Sequence, residues 1–473
     1  MSFVIYVNGL VMMFFAALMA LVAFIFPRTG SIFLESAMLV GLLGLLLAMA
    51  TASTLRQVSR LHTFILTTSV WLTAAFVGAV PFYIFGFSAV DAMFEAMSGV
   101  TTTGSTIISG LDKTPRGILI WRAMLQSIGG VGFIVTGIAL LPILKVGGMQ
   151  LFRTESSDKD EKELTSAAKF ASATLIIYAL LIFLCFLIYL IGGMNFFDAA
   201  SHAMTTVATG GFSNYDASFG HFQSALLQWA CTGFMILGAL PFVYYIRIFS
   251  RGTFKSEQVA TLLFSFAIVI FLMTVWLIST GDYAVFDALR LAAFNVVSIV
   301  TTTGYATSDY VAWGPFAVVA FFVLTAVGGC TGSTSGGVKT MRWIIFFHAL
   351  RNQLKGLYSP HSVTKIRYEG AIIDPSVVSG VIGFFTVFLI SFGAIALLLT
   401  LDGLDFQTAT SGALTALANV GPGIGPIIGP SGNFAELSDF VKTVLCAAMY
   451  LGRLEIVTIY VLLTATFWRE LHA

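Results

Sequence analysis

Four short glycine-ended motifs recur along this chain at intervals of about one hundred residues, and they constrain its fold more than any other feature. The first and third copies are nearly identical, and the second and fourth are weaker copies. Glycine permits a sharp backbone bend that aims consecutive carbonyls inward, and a ring of carbonyls can replace the hydration shell of an alkali cation. The sequence therefore predicts four pore loops in one chain. They are Thr102-Thr103-Gly104, Thr209-Gly210-Gly211, Thr302-Thr303-Gly304 and Asn419-Val420-Gly421.

A short segment that opens on an aspartate precedes each motif. In the first two copies the aspartate lies thirteen positions before the motif glycine, and in the third and fourth copies the segment is about one helical turn longer. Aspartate is a good helix N-cap, and a helix of this length is too short to cross a bilayer at about 1.5 Å per residue. We therefore expect four re-entrant pore helices whose negative dipole ends point at the loops. The aspartates are Asp91, Asp198, Asp287 and Asp405.

Composition places the chain in a lipid bilayer. Apolar residues make up 58% of the chain, charged residues make up 10%, and the mean hydropathy is +0.93. These values exclude an ordinary soluble protein. Ten apolar stretches reach the length of about 20 residues that spans the hydrocarbon. They begin near Phe3, Ile32, Phe64, Ile118, Ala171, Leu226, Thr261, Phe316, Val377 and Val441.

The order of these elements predicts an all-α polytopic membrane protein. Two leading helices are followed by four parallel units, each with an outer helix, a pore helix, a filter loop and a second helix, around one pore. Secondary transporters more often use inverted repeats, whereas a parallel fourfold repeat places four loops around one axis. We expect the leading helices in residues 1–60 and the four units in residues 61–150, 151–255, 256–368 and 369–473.

Basic residues are distributed unevenly between the two sides of the predicted membrane, and most lie in alternate connections. Because Lys and Arg accumulate on the cytoplasmic side, those connections and both termini should be cytoplasmic. The cytoplasmic set is Arg56, Arg60, Lys145, Arg153, Lys159, Lys162, Lys169, Arg247, Arg251, Lys255, Lys339, Arg342, Arg351, Lys355, Lys365, Arg367 and Arg469. The filter side holds Arg28, Lys113, Arg116, Arg122, Arg290 and Lys442.

The four motifs, with their neighbours, resemble the filter sequences of the Trk/Ktr/HKT superfamily of potassium transporters, specifically the TrkH/TrkG branch. The resemblance covers nearly the whole chain, and the two leading helices are similar to that branch rather than to the shorter KtrB proteins. The segments that carry it are Thr101–Ser105, Thr209–Ser213, Thr301–Tyr305 and Ala418–Gly423.

This resemblance implies potassium uptake across a bacterial inner membrane. Potassium would be the transported ion, held by main-chain carbonyls of the twelve motif residues, with no organic cofactor. A glycine in every motif implies preference for potassium over sodium, since some plant relatives that pass sodium carry Ser in the first. The resemblance further implies a homodimer and a separate TrkA-like cytoplasmic nucleotide-binding subunit, for which the basic loops between Lys339 and Arg367 are the expected dock. The same basic residues are also explained by membrane topology alone.

A glycine- and serine-rich stretch interrupts the second helix of the third unit. Non-helical backbone at membrane depth is tolerated only where it is buried or lines a wet cavity, so this stretch should lie beneath the filter. In the family the corresponding loop is the intramembrane gate; a kinked helix is the alternative. The spacing of its glycines and Lys339 does not match a nucleotide-binding loop, so we expect no nucleotide to bind here. We also expect no nucleic-acid partner for the chain. The expected gate residues are Gly328, Gly329, Gly332, Ser333, Ser335, Gly336 and Gly337.

Arg453 lies in an apolar stretch that runs from about Phe440 to Phe467. An unpaired charge at this depth is costly, so such residues face a bundle interior or a water-filled pore. Gly452-Arg453-Leu454-Glu455 resembles the family motif in which an Arg projects under the filter, where it would act with the gate by raising the barrier to cations. The alternative is an ion pair with Glu455 or Glu95.

Two other functional classes are alternatives to a potassium pore. A sodium- or proton-coupled symporter needs intramembrane carboxylates along a path, and the candidates Glu35, Glu95 and Glu455 lie on different units. An intramembrane enzyme needs a nucleophile with a base, or a metal set. The sequence has no such pattern, and we expect no enzymatic activity.

Overall fold

The computed structural model describes residues 1–52, 60–139, 163–281, 283–361 and 365–472. Part of the basic set used to assign topology lies outside these ranges, namely Arg56, Lys145, Arg153, Lys159 and Lys162. The described chain is almost entirely helical, which confirms the all-α expectation. One antiparallel pair of two-residue strands, β1 (Arg367–Tyr368) and β2 (Ala371–Ile372), stands in the connection between the third and fourth units.

The two leading helices form a tight hairpin. Helix α1 spans Ser2–Ile25 and α2 spans Gly30–Ala52. They cross at Gly9 and Gly44, where a β-carbon on either glycine would lie 2.8 Å from the carbonyl oxygen of the other. Small residues at such a crossing let two backbones approach closely without lipid between them.

Four helical units follow, in the predicted order. The first contains α3 (Arg60–Phe85), α4 (Ala89–Val100) and α5 (Arg116–Ala139); the second contains α6 (Glu163–Ile191), α7 (Phe196–Val207), α8 (Ala225–Ala239) and α9 (Phe242–Arg251). The third contains α10 (Glu257–Thr280), α11 (Val285–Val300), α12 (Pro315–Thr325) and α13 (Thr340–Tyr358). The fourth contains α14 (Pro375–Leu401), α15 (Phe406–Ala418), α16 (Asp439–Arg453), α17 (Ile456–Leu462) and α18 (Ala465–His472).

The pore helices are α4, α7, α11 and α15, and the predicted caps are corrected for three of them. Ser88 and Asn195 are the N-caps of the first two and accept the backbone N–H of Asp91 (3.1 Å) and Asp198 (2.9 Å). These aspartates, like Asp287, instead occupy the first turn, where a carboxylate complements the helix dipole. Only Asp405 caps its helix as predicted.

Measured from the observed N-caps, the first, second and fourth pore segments have the same length. The cap lies sixteen positions before the motif glycine in these three and twenty positions before it in the third, where Ala284 stands at the cap. The expectation of a longer fourth segment was therefore wrong, because it compared an N-cap residue with residues of the first helical turn.

Six described helices are long and apolar enough to cross a bilayer: α1, α2, α3, α6, α10 and α14. Two stretches predicted to be continuous spans are instead sharply bent. The chain turns by 88° between α8 and α9, and by 107° between α16 and α17. Pro241 explains the first bend because it has no N–H to continue the helix. At the second bend Glu455 takes a left-handed conformation with φ of 62°.

Most of the buried apolar side chains divide into two large clusters. One joins the leading helices with the first and fourth units, and Trp121 lies at its centre against Phe15 and Phe33. The other joins the second and third units. Large apolar side chains cover the outside, as expected for a surface in lipid; examples are Phe24, Phe286 and Phe406, all more than 80% exposed.

Candidate filter and ion pathway

The four glycine-ended motifs share one backbone conformation. The residue two positions before each glycine is left-handed, with φ of 54° at Thr102, 50° at Thr209, 59° at Thr302 and 55° at Asn419. A left-handed conformation is uncommon for residues other than glycine, so its recurrence at four matched positions is strong support for a true repeat. The motif glycines also have positive φ, between 74° and 113°.

The four motifs form a closed ring. A β-carbon on Gly104 would overlap the carbonyl oxygen of Gly210, one on Gly211 that of Thr303, and one on Gly304 that of Val420. The fourth glycine completes the circuit, because a β-carbon on Gly421 would lie 2.7 Å from the carbonyl oxygen of Thr103. Each motif therefore contacts the next in chain order, and the last contacts the first. Only glycine fits at these four approaches.

The pore helices end at the ring. Helices α4, α7, α11 and α15 finish at Val100, Val207, Val300 and Ala418, immediately before their motifs. Their negative dipole ends therefore face the ring from four directions, an arrangement that favours a cation at its centre.

Hydrogen bonds and one ion pair join the fourth unit to the first. Lys442 of α16 pairs with Asp91 of α4 at 2.7 Å. The Ser105 hydroxyl donates to the carbonyl of Gly421 (2.9 Å), and the Asn419 side-chain amide donates to the Thr103 hydroxyl (3.0 Å). These contacts bridge more than three hundred residues of sequence and close the ring.

The glycine-rich stretch of the third unit lies against the ring at the end opposite to the motif glycines. It joins α12 to α13, and its two ends meet where Gly328 donates to the carbonyl of Val338 (3.0 Å). Gly336 N–H donates to the Thr302 hydroxyl (2.6 Å), and Gly337 N–H donates to the carbonyl of Ala418 (2.8 Å). The stretch is thus a buried loop that contacts the ring of motifs, and not a kinked helix.

The break in the second unit supplies partners for this loop. The carbonyl of Ala239 accepts the N–H of Cys330 (3.0 Å), and the N–H of Phe242 donates to the carbonyl of Gly332 (2.9 Å). Backbone groups that a helix break frees need such partners at membrane depth. The two irregular segments therefore satisfy each other.

Thr334 connects the loop to the second motif and to Arg453. Its hydroxyl accepts from Thr209 (3.2 Å) and donates to the carbonyls of Val207 (3.0 Å) and Gly238 (2.9 Å). The expected gate residues did not include Thr334. The sequence did not single it out, because the stretch has three other hydroxyl residues and the carbonyls that accept from Thr334 lie in the second unit.

Arg453 is the last residue of α16 and is 1% exposed. Its guanidinium donates to the carbonyls of Thr334 (3.0 Å) and Gly129 (3.0 Å) and lies over the Trp71 ring, 5.6 Å from its centre. The residue therefore holds the glycine-rich loop against α5. The two carboxylates considered as its partners pair with other arginines: Glu455 with Arg342 (2.5 Å) and Glu95 with Arg122 (2.6 Å).

Two residues assigned to a basic cytoplasmic loop are buried instead. Lys339 is 2% exposed and donates to the carbonyl of Ser335, and Arg342 is 1% exposed against Glu455 and the Phe384 ring. Both belong to the packing beneath the loop. They are therefore excluded from any docking surface, and Arg351, Lys365 and Arg367 are the exposed members of that group.

The helical fold and the closed ring of four motifs together define a polytopic membrane protein with four filter-like repeats around one axis. A family profile described as "TrkH: Cation transport protein" matches residues 30–469, and the chain belongs to this family.

Individual relatives agree with that assignment. The chain is 48% identical to the Trk system potassium uptake protein TrkI of Halomonas elongata over 414 residues, which cover 86% of this chain and 84% of that protein. It is 36% identical to TrkH of Escherichia coli over 419 residues, or 86% of each chain. The crystal structure of the potassium transporter TrkH from Vibrio parahaemolyticus matches with a TM-score of 0.89 and 32% identity, covering 98% of this chain and 99% of that one.

Proposed function

We propose that this protein takes up potassium across a membrane through the ring of four motifs. The observation that carries the proposal is the closed ring, in which four loops of matched left-handed geometry lie at the ends of four pore helices. Main-chain carbonyls of the twelve motif residues would coordinate the ion in place of water. The names of the relatives, which are potassium uptake proteins of Trk systems, support potassium as the ion.

The glycine-rich loop and Arg453 would form the gate. The loop contacts the second and third motifs through Thr209 and Thr302, and it contacts Ala418, the residue before the fourth motif. Arg453 holds the loop through Thr334. Its buried positive charge would also oppose the passage of cations while the loop is in place.

The carboxylates considered for a coupled symporter do not form a path. Glu95 and Glu455 are each held in a buried ion pair, and Glu35 lies exposed on α2. These contacts favour a pore over proton- or sodium-coupled transport. A transporter of this kind would carry out no enzymatic reaction and would need no organic cofactor.

Its setting follows from the family and from the basic residues. The protein would lie in a bacterial inner membrane with the motif glycines toward the outside and both termini in the cytoplasm. It would act as a homodimer with a TrkA-like nucleotide-binding subunit on its cytoplasmic face.

Tracer flux into liposomes that contain the purified chain tests the function. Rubidium uptake should exceed sodium uptake, follow the membrane potential, and need neither a sodium nor a proton gradient. Uptake that depends on either gradient would assign the protein to the symporter class instead.

A further inference from the structure

The four pore helices share a position that supports the segment beyond the filter. Nine positions before each motif glycine stand Glu95, His202, Asn295 and Gly412. The first three side chains each contact the chain just past their own glycine. Glu95 accepts from the N–H of Ile107 (3.0 Å), His202 contacts the Ser213 hydroxyl (3.1 Å), and Asn295 donates to the Thr307 hydroxyl (2.9 Å).

In the fourth unit, where the matched residue is a glycine, the neighbouring Ser411 makes this contact. Its hydroxyl donates to the carbonyl of Ile424 (2.7 Å) and accepts the N–H of the same residue (2.9 Å). Every filter is therefore supported from its own pore helix, but by four different chemical groups.

The first support is a carboxylate, and Arg122 links it to the second filter segment. Arg122 of α5 donates to Glu95 (2.6 Å) and to the Thr106 hydroxyl (3.1 Å) on the first unit. On the second unit it donates to the carbonyl of Ser213 (2.8 Å) and lies over the Phe212 ring, 4.0 Å from its centre. One guanidinium thus joins the segments beyond two adjacent motifs.

The energetics of this pair favour a geometric role. Glu95 and Arg122 are 0% and 1% exposed. Removing two charges from water opposes much of their attraction, so a buried ion pair is an inefficient way to stabilise a fold. A planar guanidinium with fixed donors is, however, well suited to hold several acceptors in one arrangement.

Glu95 is also not available as an ion ligand. One carboxylate oxygen accepts from Arg122 and Thr106, and the other accepts from Thr106 and the N–H of Ile107. Both carboxylate oxygens of Glu95 therefore already accept hydrogen bonds from protein donors.

We propose that Glu95 and Arg122 are positioning residues that fix the first two filters and thereby set the preference for potassium over sodium. This inference rests on the proposed function. A carbonyl ring can reject the smaller ion only while its geometry is held, and this pair joins the segments that follow the first two motif glycines.

The test compares rubidium and sodium uptake by purified variants in liposomes, together with their thermal unfolding. Glu95→Gln removes the charge but leaves Arg122 buried without its carboxylate, so this variant can lose stability. Glu95→Gln/Arg122→Met removes both charges and avoids that problem. Arg122→Lys keeps the charge but loses the planar set of donors.

The control is Asp287→Asn/Arg290→Gln, which removes a partly exposed ion pair of 2.7 Å from the third pore helix; Asp287 is 57% exposed and Arg290 is 19% exposed. We expect the rubidium-to-sodium ratio to fall about tenfold in the double variant and in Arg122→Lys, equivalent to ~1.4 kcal/mol of lost discrimination. The control should keep the wild-type ratio.

The outcomes separate this inference from the proposed function. A wild-type protein without rubidium preference would refute the function itself. A selective wild type whose double variant and Arg122→Lys are equally selective would overturn the positioning role. Loss of folding in Glu95→Gln with a normal ratio in the double variant would also overturn it, since the pair would then be only structural.

Discussion

At the scale of single residues, the motif glycines stand where any side chain meets a carbonyl of the neighbouring motif. Gly104→Ser would place its β-carbon on the carbonyl oxygen of Gly210 and force the first two motifs apart. We expect the rubidium-to-sodium uptake ratio to fall about tenfold or more, or ~1.4 kcal/mol. Gly110→Ser is the matched control, because Gly110 also has positive φ (77°) but an added β-carbon there would have nothing within 4 Å. An unchanged ratio in Gly104→Ser would mean that these carbonyls do not select the ion.

Individual residues also mark the limit of what the sequence predicts. The motifs were recognisable because glycine has a specific backbone role, and the capping error was avoidable because Ser88 and Asn195 each stand three residues before an aspartate. The partners of Arg122 and Arg342 were not predictable in the same way. They lie 27 and 113 residues away, on elements whose relative position depends on the whole fold.

At the scale of elements, the link between Arg453 and the glycine-rich loop should control flux. Arg453→Ala removes the hydrogen bond to Thr334 and a buried positive charge. A hydrogen bond to a charged group contributes about 1.5–3 kcal/mol, so rubidium uptake should rise roughly tenfold. Deleting part of the segment from Gly329 to Gly337 should also raise uptake.

Arg469→Ala is the control for Arg453→Ala, since Arg469 is exposed on α18. Equal uptake by Arg453→Ala, the loop deletion and the wild type would remove both features from the gate. A rise in the deletion alone would keep the loop as the gate and leave Arg453 without a part in it.

The hairpin of leading helices offers a second test at this scale. Gly44→Ala would place a methyl group 2.8 Å from the carbonyl oxygen of Gly9 and the β-carbon of Met12, so the helices must separate. Overpacking of this kind costs about 1–3 kcal/mol, and the melting temperature of the purified protein should fall. Gly393→Ala in α14 adds the same methyl group where nothing lies within 4 Å and should leave the melting temperature unchanged or higher. Equal melting temperatures would show that the crossing tolerates a wider separation.

Helix breaks were predicted unevenly from the sequence, for physical reasons. The loop of the third unit was predictable because its glycines and serines cannot sustain a helix. The bend at Pro241 had a signal that was not used, since proline lacks the required N–H. The bend after Arg453 had no local signal, because Glu455 is held in its left-handed conformation by an ion pair with another unit.

At the scale of the whole molecule, the fourfold repeat made the fold predictable. The side-chain contacts that distinguish the four units could not be predicted from the repeat. Each repeat was read from its motif and its spacing. The contacts that close the ring, such as the ion pair of Lys442 with Asp91, join the fourth unit to the first and have no local sequence pattern. A charge count also misassigned Lys339 and Arg342, because it cannot separate a basic residue at a membrane surface from one buried in an ion-pair network.

Because Lys339 and Arg342 are buried, the predicted binding surface for the proposed cytoplasmic partner is limited to the exposed basic residues. The available charges are on one surface: the His348 ring contacts the carbonyl of Arg367 (3.1 Å), which places Arg367 beside α13, and Arg351 lies one turn further along that helix. Arg351→Gln/Lys365→Gln/Arg367→Gln should weaken binding of a TrkA-like subunit on the order of tenfold at low salt, with a smaller difference at high salt. Arg28→Gln/Lys113→Gln removes exposed charges on the filter side and is the control. If the triple variant binds as tightly as the wild type at every salt concentration, these charges reflect membrane topology alone, and the dock must be sought elsewhere on that face.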